Sequence, residues 1–258
     1  MASKIKVDQL ETVDGTGNIT VNQPLSGSGA GLTSLPAGNL TGVIPAANLG
    51  TGTASASTFL NGSGAYSAAG GGAWTLIEST NVTTAQASIT ISGIDATYAT
   101  YAIIGEELIP VTDHVHAYIR FGDASGIDSA STDYSWAAER GLHTDGTTSG
   151  VTAPIYEKDY TIGQIQLTVS TGNCGNGDEG SEGEGFSFTG QLRGMRGTLM
   201  NPMIAGECHY QNNQHISMSS RFVGIRHHHT MAADRVNFLF SSGDIASGRL
   251  TVWGIKHT

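Results

Sequence analysis

A stretch without ionisable charge constrains this chain most strongly. Between Gly15 and Ile77 there is no Asp, Glu, Lys or Arg, and Gly, Ala, Ser, Thr and Asn dominate. Gly and Pro recur every few residues, which is incompatible with a helix. The large apolar side chains are too few to offset the entropy of ordering the chain, so the stretch cannot form a core alone. We therefore expect it to become ordered only by winding around copies of itself.

A nine-residue repeat lies inside this stretch. Residues 35–43 (LPAGNLTGV) are followed directly by residues 44–52 (IPAANLGTG), so that Pro, Asn and Leu recur at equivalent positions. The alternative is a flexible linker, but a spacer does not require such a repeat. The repeat favours a wound, fibre-like shaft. We predict that contacts between copies in the shaft are made by Leu35, Leu40, Ile44, Leu49, Phe59 and Leu60.

The charge balance excludes some partners. The formal net charge is −10, and no Lys or Arg occurs between Val7 and Ile119. Binding to a phosphate backbone or to an anionic membrane surface requires clustered cations, so we expect neither nucleic acid nor membrane insertion. The N-terminal residues lack the apolar run of a cleaved signal peptide. Cys174 and Cys208 are the only cysteines, and we expect both to be free thiols.

From Trp74 onward the pattern is that of strands. Val115, Ala117, Ile119 and Phe121 alternate with polar or aromatic residues, and turn residues mark nearly every junction. About ten strands without an amphipathic helix predict an all-β fold, most simply a jelly-roll-like β-sandwich head. The predicted strands are 74–79, 87–92, 98–108, 114–122, 133–142, 160–170, 185–193, 207–211, 221–229, 235–241 and 249–257.

These patterns predict three regions. Residues 1–30 form an extended N-terminal anchor, residues 31–72 form the shaft, and residues 73–258 form the head. In the anchor, apolar side chains alternate with Lys4 and Lys6. The candidate docking residues are Ile5, Val7 and Leu10.

Histidine pairs suggest a metal site as one hypothesis. The sequences HVH at 114–116 and HHH at 227–229 would each place two imidazoles on one face of a strand. Three subunits meeting at a threefold axis would supply six imidazoles, which suits an octahedral transition metal. The simpler interpretation is surface histidines that bond to neighbouring carbonyls, and we expect no cofactor. The candidate ligands are His114, His116, His227 and His229.

Aromatic residues among polar neighbours are candidates for surface binding, because exposed rings commonly contact sugars or proteins. They are Tyr134, Trp136, Tyr156, Tyr160 and Tyr210. The alternative, which is commoner for aromatic residues in strands, is that they lie in the core.

Nothing in the sequence predicts catalysis. It contains no Gly-x-Ser-x-Gly nucleophile motif, and we expect the protein not to be an enzyme. A glycosidase would require two facing carboxylates. The carboxylates to examine for that alternative are Asp113, Asp123, Asp128 and Asp133, although acidic residues in such Gly-rich loops usually form turns.

Several segments resemble proteins of tailed-phage particles. Residues 40–55 (LTGVIPAANLGTGTAS) and 57–64 (STFLNGSG) are similar to the shaft-to-head region of phage fibre proteins, and residues 3–10 (SKIKVDQL) are similar to the start of many virion proteins. Three head segments resemble a recurring family of tail-fibre-like proteins: residues 120–129, residues 183–186, and residues 240–248 with 253–256. The chain departs from that pattern at its triple histidine, at Trp253 and at Phe188.

The resemblance implies an obligate homotrimer, assembled into a virion in the host cytoplasm, with an anchor, a wound shaft and a β-rich head. The expected function is that of a tail-associated fibre that attaches to a glycan or protein of the host surface. Other phage virion proteins, of the baseplate and tail or of the capsid, would be its docking partners. The alternative is a capsid decoration protein or head fibre docked through residues 1–30, and a more distant one is a glycan depolymerase.

Overall fold

A computed structural model describes the chain over residues 51–53, 55, 58–68, 73–144, 155–169, 173–176, 184–197, 200–212, 217–227 and 231–257. The chain divides into two compact units, Met1–Ala69 and Gly70–Thr258. The predicted anchor, and the shaft as far as Gly50, lie outside the described residues.

A small hairpin is the described part of the first unit. Strands β1 (Thr58–Leu60) and β2 (Tyr66–Ala68) pair antiparallel. The turn between them is organised by Asn61, whose Oδ1 accepts hydrogen bonds at 3.0 Å from the N–H groups of Ser63 and Ala65. Gly64 follows with a φ of 76°, a conformation that favours glycine. Asn and Gly in this spacing are typical of hairpin turns.

The described residues of the second unit form thirteen strands and no helix. The strands are β3 (Trp74–Val82), β4 (Ile89–Ile91), β5 (Thr100–Pro110), β6 (Ala117–Asp123), β7 (Gly126–Ile127), β8 (Tyr134–Thr144), β9 (Ile155–Ile162), β10 (Ile165–Gln166), β11 (Phe186–Arg193), β12 (Met203–Gln211), β13 (Ser217–Arg226), β14 (Arg235–Phe240) and β15 (Ile245–Ile255).

Two antiparallel sheets contain these strands. The larger sheet has eight strands in the order β3-β15-β5-β11-β12-β13-β8-β9. The smaller sheet has the order β10-β6-β14-β4, and β7 pairs with β6. The chain passes repeatedly from one sheet to the other, so most neighbouring strands are far apart in sequence.

The core lies between the two sheets. Phe186 and Phe188 of the large sheet meet Phe238 of the small sheet, with ring centroids 5.9 and 5.7 Å from that of Phe238. Alternate residues of each strand contribute to this core, as the twofold periodicity of a strand requires. On β6 these residues are Ala117, Ile119 and Phe121, all fully buried. The arrangement is a two-sheet sandwich around one apolar core.

The prediction of an all-β fold is confirmed, and most of the predicted strands coincide with observed ones. The predicted single strand over 160–170 is wrong. Here β9 ends at Ile162 in the large sheet, and β10 begins at Ile165 in the small sheet. Gly163 lies at this crossing, where a Cβ atom would come within 2.6 Å of the Ser129 carbonyl oxygen.

Candidate functional site

The outward face of the eight-stranded sheet carries the features of a candidate binding surface. Directly paired residues form a continuous row across all eight strands, from Leu76 on β3 to Lys158 on β9. Cross-strand partners lie on the same face, so the side chains of this row all point away from the core. Adjacent strands are about 4.8 Å apart, so the row is about 34 Å long. Its members are Leu76, Trp253, Ala102, Gln191, Ala205, Val223, Ala137 and Lys158.

A groove of about 650 Å³ lies along the β9 half of this row. Its floor consists of small or apolar side chains, Ala137, Ala205 and Val223, and Val223 is 53% exposed. The cations Lys158 and Arg193 lie on opposite sides of it. A depression of small side chains between longer polar ones is suited to holding part of a ligand.

An aromatic ladder lies on the edge strand β9, where Lys158 and Tyr160 line the groove and Tyr156 lies beyond it. Tyr156, Lys158 and Tyr160 alternate along the strand, so their side chains are spaced about 6.6 Å apart. The two tyrosines are 70% and 73% exposed, the highest values among the large apolar and aromatic side chains described. Tyr156 is paired with Glu139 of β8, and Lys158 is paired with Ala137.

The other three predicted surface aromatics are buried, so their assignment to the surface is corrected. Tyr134 is fully buried, and its hydroxyl accepts a 2.8 Å hydrogen bond from the N–H of Phe121. Trp136 and Tyr210 are 8% and 6% exposed. These residues occupy the core-facing positions of β8 and β12, whereas their polar neighbours point outward. Burial raises the pKa of the Tyr210 hydroxyl.

The first predicted histidine pair, His114 and His116, does not lie within a strand, and the second pair is only partly described. His114 precedes β6, and its backbone adopts a left-handed conformation with a φ of 63°. The ring of His116 lies 3.0 Å from the Thr168 hydroxyl. His227 follows the end of β13, and its N–H donates to the Asp133 carbonyl. His229 lies outside the described residues.

Within the described part of a single chain, no three or more His, Cys, Asp or Glu side chains form a cluster suited to a metal. The proposed threefold site would draw on three chains, so metal binding stays a prediction.

The four carboxylates considered for the glycosidase alternative accept hydrogen bonds in turns or form ion pairs. Asp128 accepts hydrogen bonds from Arg226, with its Oδ2 2.8 Å from both Nε and Nη2 of the guanidinium. Asp133 lies 3.8 Å from the same Nη2. Asp123 accepts from the hydroxyl and N–H of Ser125, and these bonds lower the pKa of its carboxyl.

The fourth carboxylate, Asp113, accepts a hydrogen bond from the N–H of His114. Asp128 and Asp133 both contact the Arg226 guanidinium and so position the end of β13 relative to the loops that carry them.

The docking candidates Ile5, Val7 and Leu10 and the shaft candidates Leu35, Leu40, Ile44 and Leu49 lie outside the described residues. Phe59 and Leu60 are described, and they are 61% and 46% exposed in the single chain. Their burial against another copy stays a prediction.

Sequence analysis did not identify Lys158, Gln191, Arg193, Ala205 or Val223 as parts of a site. They come from β9, β11, β12 and β13, and only the long-range pairing of β13 with β8 brings β9 into the same sheet as the other three. Only the alternation of Tyr156, Lys158 and Tyr160 was visible in the sequence. Chemically, the arrangement can stack planar apolar ligand faces on tyrosine rings and donate hydrogen bonds from lysine and arginine.

No family model, curated protein or solved structure matches this chain. Among the described residues, no helix is long and apolar enough to cross a membrane.

Proposed function

We propose that this protein is a structural component of a tailed-bacteriophage particle. In this proposal it is a homotrimeric, tail-associated fibre with an N-terminal anchor, a wound shaft and a jelly-roll-like head that attaches to the host surface. The charge-free repeat supports the shaft, and the two-sheet sandwich supports a compact head after it.

The observation that carries the attachment role is the ladder of Tyr156, Lys158 and Tyr160 beside the groove. Two tyrosine rings exposed by 70% or more on an edge strand have no role in the stability of the core. Exposed aromatic side chains give a large contact area at a low cost in side-chain entropy, which suits a binding surface. Three heads on one fibre would then convert weak single contacts into stable attachment.

Binding of the labelled full-length protein to host cells tests this proposal. The double substitution Tyr156→Ala and Tyr160→Ala removes both rings, each worth about 1 kcal/mol, so we expect cell binding to weaken at least about 10-fold. Val111→Ala is the matched control, because Val111 is 50% exposed on a loop away from the groove. Unchanged binding by the double variant, or no binding by the native chain, would contradict the attachment role.

A further inference from the structure

An uncharged apolar patch lies at the other end of the large sheet, beside edge strand β3. It consists of three adjacent rows of three directly paired, outward residues on β3, β15 and β5. None of the nine is ionisable, although the chain carries a net charge of −10. The rows are Trp74, Ile255 and Thr100; then Leu76, Trp253 and Ala102; then Ser79, Thr251 and Ile104.

Two protruding side chains dominate the patch. Trp74 is 48% and Leu76 is 49% exposed, on a strand that ends the sheet. The edge strand carries no Lys or Pro, the residues that commonly prevent edge-to-edge association. Its one charged residue, Glu78, accepts a hydrogen bond from the Ser92 N–H, and the exposed apolar patch beside this edge is typical of a surface that another protein covers.

A depression of about 490 Å³ lies directly beside these side chains. Its lining includes Ala102, Gly190 and Ala205, whose small side chains leave space above the sheet. Glu207 and Arg221, a directly paired anion and cation, line its far side. One face of the sheet therefore presents protruding apolar side chains next to a recess that has small side chains at its floor and a charged pair on its far side.

We propose that a second copy of this chain covers the patch, with its Trp74 and Leu76 side chains inserted into this recess. A copy of an acidic protein approaches with least repulsion at an uncharged surface, and the patch is such a surface. A protruding group and a recess on the same molecule form the kind of contact that closes identical subunits into rings. The recess is large enough for an indole and an isobutyl group.

The short connection between the first unit and the patch also favours a second copy of this chain as the partner that covers the patch. Trp74 follows Ala69, the last residue of the first unit, by five positions, and five extended residues span at most about 18 Å. Copies joined through their shafts would hold their patches at a high effective concentration. The patch measures about 10 Å across three strands and about 17 Å along them, which is smaller than a typical stable interface, so it relies on that tethering. The inference rests on the proposed homotrimer for the number of copies and for the tethering through the shaft.

Disulfide cross-linking of the full-length protein tests the contact. Within one chain, Leu76 and Thr189 are three strands apart, about 14 Å, which is too far for a disulfide. Between copies, Thr189 lines the recess into which Leu76 would insert. The native Cys174 and Cys208 are buried, so they do not compete. We expect Leu76→Cys combined with Thr189→Cys to give covalent multimers on a non-reducing gel after mild oxidation.

One control pair, the native mass and a Leu76→Asp variant separate the possible outcomes. Leu76→Cys combined with Val111→Cys is expected to stay uncross-linked, because Val111 lies outside the patch. A native trimer by analytical ultracentrifugation without cross-linking overturns this inference but leaves the homotrimer intact. A native dimer with cross-linking supports the inference and contradicts the homotrimer, and a native monomer overturns both. Loss of host-cell binding in Leu76→Asp without cross-linking of the cysteine pair would assign the patch to a different partner and overturn the inference.

Discussion

The ring of Phe188 stacks on the ring of Phe238 across the two sheets, with centroids 5.7 Å and planes 15° apart. Phe188 also contacts Phe222, and Phe238 also contacts Phe186 and Phe240. This aromatic cluster is the centre of the sandwich, because it joins two strands of the large sheet, β11 and β13, to β14 of the small sheet. Stability of the head therefore depends strongly on Phe238.

Phe238→Ala should lower the free energy of unfolding of the head by about 3–5 kcal/mol, because it leaves a cavity among rings that cannot collapse. Phe238→Leu retains most of the volume and should cost less than about 1.5 kcal/mol. Denaturant unfolding followed by near-UV circular dichroism measures both. Equal effects of the two substitutions would show that the cluster is not closely packed.

Gly224 is the second position where packing between the sheets is sensitive. A Cβ atom there would lie 2.4 Å from Cγ2 of Ile165, on the opposite sheet. Gly224→Ala should therefore destabilise the head by about 1–3 kcal/mol through overpacking. Combining it with Ile165→Ala should restore part of that loss, which a double-mutant cycle of unfolding free energies would detect. Strictly additive effects would contradict direct contact at this point.

His116 should make stability depend on pH on the acid side. Burial lowers the pKa of its imidazole; the Glu157 carboxylate opposes this shift, and His114 adds to it. The unfolded chain then binds a proton more readily, so stability is complete above pH 6.5 and is lost as the pH falls below it. His116→Gln should reduce this slope in unfolding experiments between pH 7 and about 5, and an unchanged slope would contradict the assignment.

Cys208 should contribute a pH dependence on the alkaline side. Burial raises the pKa of its thiol from 9.0 to about 12. The folded chain retains a proton that the unfolded chain loses, so stability is complete below pH 9 and declines as the pH rises toward 12. Cys208→Ala should lower the slope by up to about 1.4 kcal/mol per pH unit. Val252→Ala, at another fully buried position, is the control and should leave the slope unchanged.

The sequence predicted the all-β class because alternation and turn residues are local properties. On β6, Ala117, Ile119 and Phe121 are buried as their alternation indicated. The same periodicity does not show to which sheet a strand belongs, and the strand predicted over 160–170 therefore divides at Gly163 between two sheets. Pairing over long sequence separations decides that question.

The candidate site was predictable only in part for a related reason. Alternation separates Tyr134 and Trp136 from Ser135 and Ala137, but it does not show which set faces the core. Tyr134 can be buried because its hydroxyl is hydrogen-bonded to the backbone of Phe121. The sequence around Tyr134 contains no pattern that identifies Phe121 as this partner. Tyr156 lies on an edge strand, where nothing covers its ring within the described residues, and there the sequence-based prediction of exposure is confirmed.

We propose that this protein belongs to a phage particle and lies at its tail. Gold-labelled electron microscopy of intact particles, with an antibody raised against residues 74–258, tests it most directly. We predict gold at the tail, with no more than background over the capsid. Label distributed over the capsid would instead make the protein a decoration protein or head fibre, and particles without label would contradict a role in the virion.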